Sequence, residues 1–154
     1  MTNTLIVRKC TLSEVVDAPN FPELAAEYEA ESATPGLPSP VPNIPLYRQL
    51  EDAGALTVFG AWLADTLIGF MGLLYHEVPR YNTRLAVCET YFVTQPHRRS
   101  GAGLTLRRLA EQTAEDLGAP GLLLSAPVLS DLHVILAASK KYQHFSNCYV
   151  MSFK

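Results

Sequence analysis

A chain of 154 residues is the size of one domain and buries roughly 70% of the surface its unfolded form exposes, so one domain over residues 1–154 is expected. With 48% apolar and 18% charged residues, the composition is that of a well-cored globular protein and excludes a disordered, collagenous or coiled-coil chain. Twelve Lys and Arg against 15 Asp and Glu leave a net charge of -3, which argues against nucleic acid or an anionic membrane as partner and makes any basic site local.

Residues 4–9 are short, apolar and β-branched and read as a strand. Thr11-Leu12-Ser13-Glu14 follows, the hydroxyl and trailing carboxylate of a capping box, so a brief helix starts there. Asn20, Pro22 and Glu23 repeat the signal as an Asx cap with an early proline, and Leu24, Ala25 and Tyr28 mark one face of a helix to about Ala33. Residues 34–45 carry Pro35, Pro38, Pro40, Pro42 and Pro45, which remove donors and forbid helix; the segment is an extended loop, either a plain connector or a flap on the substrate side.

A short helix near 46–53 precedes two apolar runs, 56–63 and 67–75, which Ala64-Asp65-Thr66 joins into an antiparallel hairpin buried on both faces. Residues 77–84 are polar and broken by Pro79, a loop, and 85–93 form the next strand. From Gly103 the pattern is helical, with Leu106, Leu109, Ala110, Thr113 and Leu117 on one face, until Gly118 and Pro120 stop it. Residues 121–126 read as an apolar strand, 130–140 as a helix capped by Ser130, and 145–153 as a closing strand in which Cys148, Val150 and Ser152 alternate with Tyr149, Met151 and Phe153. Hairpin-linked strands early and a strand, helix, strand unit later imply a mixed α/β sheet with helices on its faces.

Cys10, Cys88 and Cys148 are odd in number, far apart and without a Cys-x-x-Cys pair, so they read as reduced thiols and not as a disulfide framework or metal site. The N-terminal charges follow a very short apolar run, the wrong order for a secretory signal. No apolar stretch approaches the ~20 residues of a membrane span. A soluble cytoplasmic protein is expected.

The chemistry concentrates in Tyr91-Phe92-Val93-Thr94-Gln95-Pro96-His97-Arg98-Arg99-Ser100-Gly101-Ala102-Gly103-Leu104, where a buried strand ends, a glycine-containing turn follows and a long helix begins. Unpaired amides and the positive dipole end at such a helix start make an anion site, to which Arg98 and Arg99 add donors, and Gly101 and Gly103 let a phosphate approach the main chain. A dinucleotide fingerprint needs a third glycine where Leu106 stands, and a P-loop needs a Gly-Lys-Ser/Thr that does not follow, so both readings fail.

Arg98-Arg99-Ser100-Gly101-Ala102-Gly103 resembles the Arg/Gln-x-x-Gly-x-Gly/Ala signature of the GNAT superfamily of acetyl-CoA-dependent N-acyltransferases. Glu89-Thr90-Tyr91-Phe92-Val93 resembles that family's fourth strand, Asp65-Thr66-Leu67-Ile68-Gly69 its hairpin turn and third strand, and Lys141-Tyr142 stands where it usually has Gly-Phe. The resemblance implies a central, mostly antiparallel mixed sheet of about six or seven strands, splayed between strands four and five and flanked by about four helices. It further implies acetyl-CoA as co-substrate, no metal, and a pyrophosphate cradled by Arg98, Arg99, Ser100, Gly101, Ala102 and Gly103, with the pantetheine arm bonded to the main chain of Tyr91, Phe92 and Val93. Ser130, most simply an N-cap, takes a coenzyme contact as a second role.

Attack of a neutral amine on a thioester needs a base, an oxyanion donor and a proton for the leaving thiolate. The family's usual acid, a tyrosine, falls here on Ala137, and its usual asparagine on Ser130. Tyr142, Ser139 or a water is left to substitute, unless the thiolate leaves unassisted. Glu89 is the first candidate base, a charged residue inside an apolar strand whose burial would raise its pKa; the alternative is a strand-edge carboxylate paired with Arg84 or facing water. His76 and His133 are runners-up, Ser125 is a strand-end hydroxyl that could meet substrate, and Cys88 points away from Glu89 into the core.

The acceptor is expected to be a small-molecule or peptide amine, which Glu23, Glu27, Glu29 and Glu31 could attract if they are more than a solvated face. A non-catalytic acyl-CoA-binding or protein-interaction module of the same fold is the alternative, and a homodimer through the apolar closing strand is possible.

Overall fold

The computed structural model of the chain describes residues 3–153; Met1, Thr2 and Lys154, which the one-domain reading includes, lie outside the described residues. In chain order these form β1 (Leu5–Cys10), α1 (Leu12–Val16), α2 (Phe21–Ser32), α3 (Ile44–Asp52), β2 (Leu56–Leu63), β3 (Thr66–Val78), β4 (Thr83–Val93), α4 (Ala102–Asp116), β5 (Leu122–Leu123) and α5 (Asp131–Ala138). Single 3₁₀ turns at Pro79–Tyr81 and Gln95–His97 flank β4. One sheet runs β1-β2-β3-β4-β5, antiparallel except for the parallel β4-β5 pair. The mixed sheet matches expectation, with five strands in place of six or seven.

The capping box forms as read. Glu14 N–H donates to Thr11 Oγ1 at 3.2 Å and Thr11 N–H to Glu14 Oε2 at 2.8 Å. Arg8 adds an ion pair to Glu14 at 2.7 Å, and the Arg8 hydrogen bond, followed by that from the Thr11 amide, holds the Glu14 carboxyl at about 2. A folded pKa below the unfolded value of 4.5 stabilises the protein above that value and ceases to do so as pH falls from about 4.5 toward 2. Glu14→Gln should therefore lower the chemical-denaturation midpoint at neutral pH, and the gap from wild type should close in acid over that window.

Asn20 does not cap α2. Its side-chain amide donates 2.8 Å to the Leu67 carbonyl, tying the helix start to β3, and with the side chain held there its oxygen accepts from no first-turn amide. Nor are residues 77–84 a loop: Glu77 pairs with Arg84 and Val78 with Thr83 in the β3-β4 ladder, and only Pro79 to Asn82 turn. Their polar composition marks strand ends that project past the core into solvent.

Two cores flank the sheet. On one face Phe59, Ile68, Met71 and Leu73 meet Ala102, Leu106, Ala110 and Ala114 of α4. That stripe recurs every four residues, and its three alanines let the helix axis approach the sheet closely. Leu117, the last residue of the expected face, is exposed because the helix has ended. The other face packs Leu12, Val15 and Leu24 of α1 and α2 on Val58, Leu67, Phe70 and Phe92. Leu106 is 0% exposed, so Leu106→Ala should cost about 3 kcal/mol and lower Tm by roughly 10 °C, read by thermal denaturation.

The C-terminal region departs most from expectation. Of residues 121–126 only Leu122 and Leu123 are strand, and among the described residues no strand follows α5. A period-two pattern needs a neighbouring edge to pair with, and a two-residue β5 bracketed by Pro120 and Pro127 offers none. Tyr149 and Phe153 are accordingly 92% and 90% exposed.

Candidate active site

The brevity of β5 shapes the site. It pairs with β4 at Ala86 and Val87 alone, so among the described residues no strand covers Cys88 to Val93 on that side, and the sheet opens where β4 approaches α4. Gly101, the N-cap of α4, sits at φ +89°, a left-handed conformation that costs a residue with a β-carbon roughly 1–2 kcal/mol. A β-carbon there would meet nothing within 4 Å. The helix start thus faces open space with the amides of its first turn, Gly103 and Leu104 among them, for which helix geometry supplies no acceptor and which carry the positive dipole end. The Ala102 amide is answered by Ser100 Oγ at 3.2 Å.

Gly103 lies close against β4. The Tyr91 hydroxyl donates 2.6 Å to the Gly103 carbonyl, and a β-carbon on Gly103 would come within 3.3 Å of that hydroxyl. Arg98 also turns inward: its Nε donates 2.9 Å to the Val93 carbonyl and its Nη2 bonds Glu31, with the guanidinium over the Phe92 ring. Glu27 accepts from Thr94 Oγ1 at 2.7 Å and the Gln95 amide at 2.9 Å. Two of the four acidic residues of α2 are thus clamps on the strand-to-helix turn, while Arg99 beside them stays exposed.

Glu89 stands at a β-bulge: the register passes from Gly72↔Thr90 to Leu73↔Cys88, leaving Glu89 without an opposite residue. The bulge turns Glu89 and Thr90 together toward the face covered by α2 and α3, where both line a cavity of about 480 Å³. Glu89 is exposed and not buried, which agrees with the alternative of a carboxylate facing water; its partner is not Arg84, whose guanidinium lies over Tyr75. The Tyr47 hydroxyl points at Glu89 Oε1 across 3.4 Å. Burial, with the Glu89 charge behind it, pushes that phenol up to about 12, so it stays a neutral donor. Cys88 faces the α4 core, and burial pushes its thiol up to about 12 as well, leaving no thiolate at neutral pH.

Tyr142 donates 2.6 Å to Glu111 Oε1, and Lys141 bonds the other carboxylate oxygen at 2.6 Å. Burial first and Glu111 second raise the Tyr142 pKa, so its proton is held toward Glu111. Ser130 Oγ caps α5 by accepting from the His133 amide at 3.1 Å. His76 and His133 are both exposed, the first against the Glu77 carbonyl and the second edge-on to His144. Ser125 is exposed beyond the end of β5, and Ala137 is exposed on α5.

Sequence reading missed Tyr28, Tyr47 and Phe70 as neighbours of Glu89 in that cavity. Their periodicity marks them only as inward-facing, a property shared by core residues. Pro40, Val41 and Pro42 form another wall, so the proline segment borders this cavity.

The uncovered edge of β4 thus leads into a helix start whose amides and dipole favour negative charge. The chain belongs to the acetyltransferase (GNAT) family, whose model matches residues 22–134, from α2 into α5. Comparison with curated proteins by sequence found no match. Among solved structures it is similar to an aminoglycoside acetyltransferase from an uncultured soil metagenomic sample, in complex with trehalose (19% identity over 99% of this chain and 98% of that one, TM-score 0.71). It is also similar to the ribosomal-protein-alanine N-acetyltransferase of Brucella melitensis biovar Abortus 2308 (21%, 97% and 99%, TM-score 0.69). A predicted acetyltransferase with acetyl-CoA from Clostridium acetobutylicum shares the fold too (12%, 95% and 96%, TM-score 0.65).

Proposed function

We propose that this protein transfers an acetyl group from acetyl-CoA to a primary amine, both held on the protein at once. The observation that carries the reading is the helix start at Gly101, positive and open, at the end of a strand with an uncovered edge. The pyrophosphate sits on the first-turn amides of α4 with Arg99 beside it, and the arm runs along the main chain of Tyr91, Phe92 and Val93. The coenzyme supplies an activated thioester carbonyl. Glu89 receives the ammonium proton, the amine nitrogen bonds the carbonyl carbon and gives its second proton to water, and the carbon–sulfur bond breaks to release the thiolate. Arg98 fixes the turn through Val93 and Glu31. Tyr142, bonded to Glu111, is assigned to positioning, and the thiolate takes its proton from solvent.

The free cysteines Cys10, Cys88 and Cys148 fit a reducing cytosol, and the exposed apolar side chains of residues 145–153 are the surface a homodimer would use. Among the described residues no helix is long and apolar enough to cross a membrane. Coenzyme binding without turnover is the second reading, favoured by Ala137 where the family's tyrosine falls. Calorimetric titration with acetyl-CoA, followed by thiol release in the presence of an amine panel, separates the two: binding with amine-dependent release supports transfer, and binding without release supports the module.

A further inference from the structure

The cavity beside Glu89 bears on which amine is accepted, an inference that rests on the acetyltransferase reading. At about 480 Å³ it has the size of a small-molecule site. Its walls are hydrocarbon and aromatic: Val15, Leu50, Val58 and Leu74 from the helices and sheet, with Phe21 and Phe70 behind them. Phe70 is the centre of a ring cluster, with Phe21, Tyr28 and Phe92 at centroid distances of 6.2, 5.8 and 5.6 Å. Among the described residues that line it, Glu89 is the one charged side chain, and the Tyr47 hydroxyl points at it.

We infer that the acceptor is a small primary amine with an aromatic or branched apolar body and a single cationic nitrogen, the body lying among the rings and the nitrogen at Glu89. Charge complementarity decides against a polyamine: one carboxylate answers one ammonium, and each further charge carried into these walls would lack a partner. Hydrogen bonding weighs against a polyhydroxylated amine: besides Glu89 the polar lining side chains are Tyr28, Asn43, Tyr47 and Thr90, of which the Tyr47 hydroxyl is directed at Glu89 and the Asn43 oxygen accepts from the Leu46 amide, while Pro40 and Pro42 have no N–H. An aromatic body, in contrast, replaces water against carbon surfaces and sets its ring against Phe70 and Tyr28. The ammonium then meets a carboxylate within an aromatic rim that itself favours a cation.

The test compares 2-phenylethylamine, spermidine, kanamycin and an alanine-initial peptide, each by calorimetric binding to the full chain and by turnover with acetyl-CoA. The expected result is a kcat/KM for 2-phenylethylamine at least about tenfold above the others, with amine binding lost in Ala25→Trp, which fills the cavity from α2. Val41→Asp, at a position 68% exposed and therefore tolerant of change, should shift preference toward spermidine by adding a second carboxylate at the wall. Binding of 2-phenylethylamine without acetylation upholds the cavity's ligand class while overturning the transfer reading. Preferential acetylation of spermidine, kanamycin or the peptide overturns the ligand class while upholding transfer. No binding of 2-phenylethylamine, or binding unchanged in both Ala25→Trp and Val41→Asp, overturns the inference.

Discussion

Glu89→Gln should lower kcat by about two orders of magnitude or more, the usual contribution of a positioned general base, while leaving acetyl-CoA affinity unchanged. The amide is nearly isosteric and can still accept from the Tyr47 hydroxyl, so the bulge and cavity persist. What it cannot do is take a proton from an ammonium. Because Glu89 also offers the cavity's carboxylate to the incoming cation, KM for the amine should rise in the same variant. Steady-state kinetics with each substrate varied in turn separates these effects. An unchanged kcat would move the base to another group or to water.

The second large effect is expected at Gly101. Gly101→Asp sets a carboxylate at the helix start proposed to hold the phosphates, and like charges at close quarters cost several kcal/mol, so coenzyme affinity should fall about a hundredfold or more. The left-handed backbone at φ +89° adds a stability cost of roughly 1–2 kcal/mol. Gly101→Ala separates the two, since its β-carbon enters open space and brings no charge: it should share the stability loss and keep most of the affinity. Calorimetry on both variants, with circular dichroism to establish folding, is the check. Equal affinity in Gly101→Asp and wild type would leave the helix start as a turn and nothing more.

Legibility in the sequence tracked how local the cause was. The Thr11–Glu14 capping box, the 64–66 hairpin turn and the Gly118 stop each depend on residues a few positions apart, and each forms where the pattern puts it; the α4 face agrees only at Leu106, Leu109 and Ala110, its buried row running on through Ala102 and Ala114 in place of Thr113 and Leu117. Asn20 failed as a cap because its side chain is held by the Leu67 carbonyl, 47 residues away, and its oxygen accepts from no first-turn amide. The 145–153 alternation failed for a related reason: a strand exists only if an edge receives it, and the shortness of β5 is invisible in the alternation itself. At the site, the glycine turn was plain in sequence, yet the different duties of Gly101 and Gly103 depend on where Tyr91 reaches across from β4. Likewise the acidic run of α2 looked like a solvated face or a lure for cations, whereas Glu27 and Glu31 bond Thr94, Gln95 and Arg98 from a distant part of the chain. The oddness of Glu89 in an apolar strand was readable. A water-facing carboxylate was one of its two readings, but the bulge and the cavity were not readable, because both arise from register and from three helices meeting over the sheet.

The most direct test of the central claim is to incubate the purified protein with acetyl-CoA and 2-phenylethylamine, measuring released thiol and N-acetylated amine in the same samples. The account predicts that the two appear together, mole for mole, and that both fall away in Gly101→Asp. Saturable acetyl-CoA binding with neither product, for this amine and the wider panel, would contradict it and leave a coenzyme-binding module in place of an enzyme.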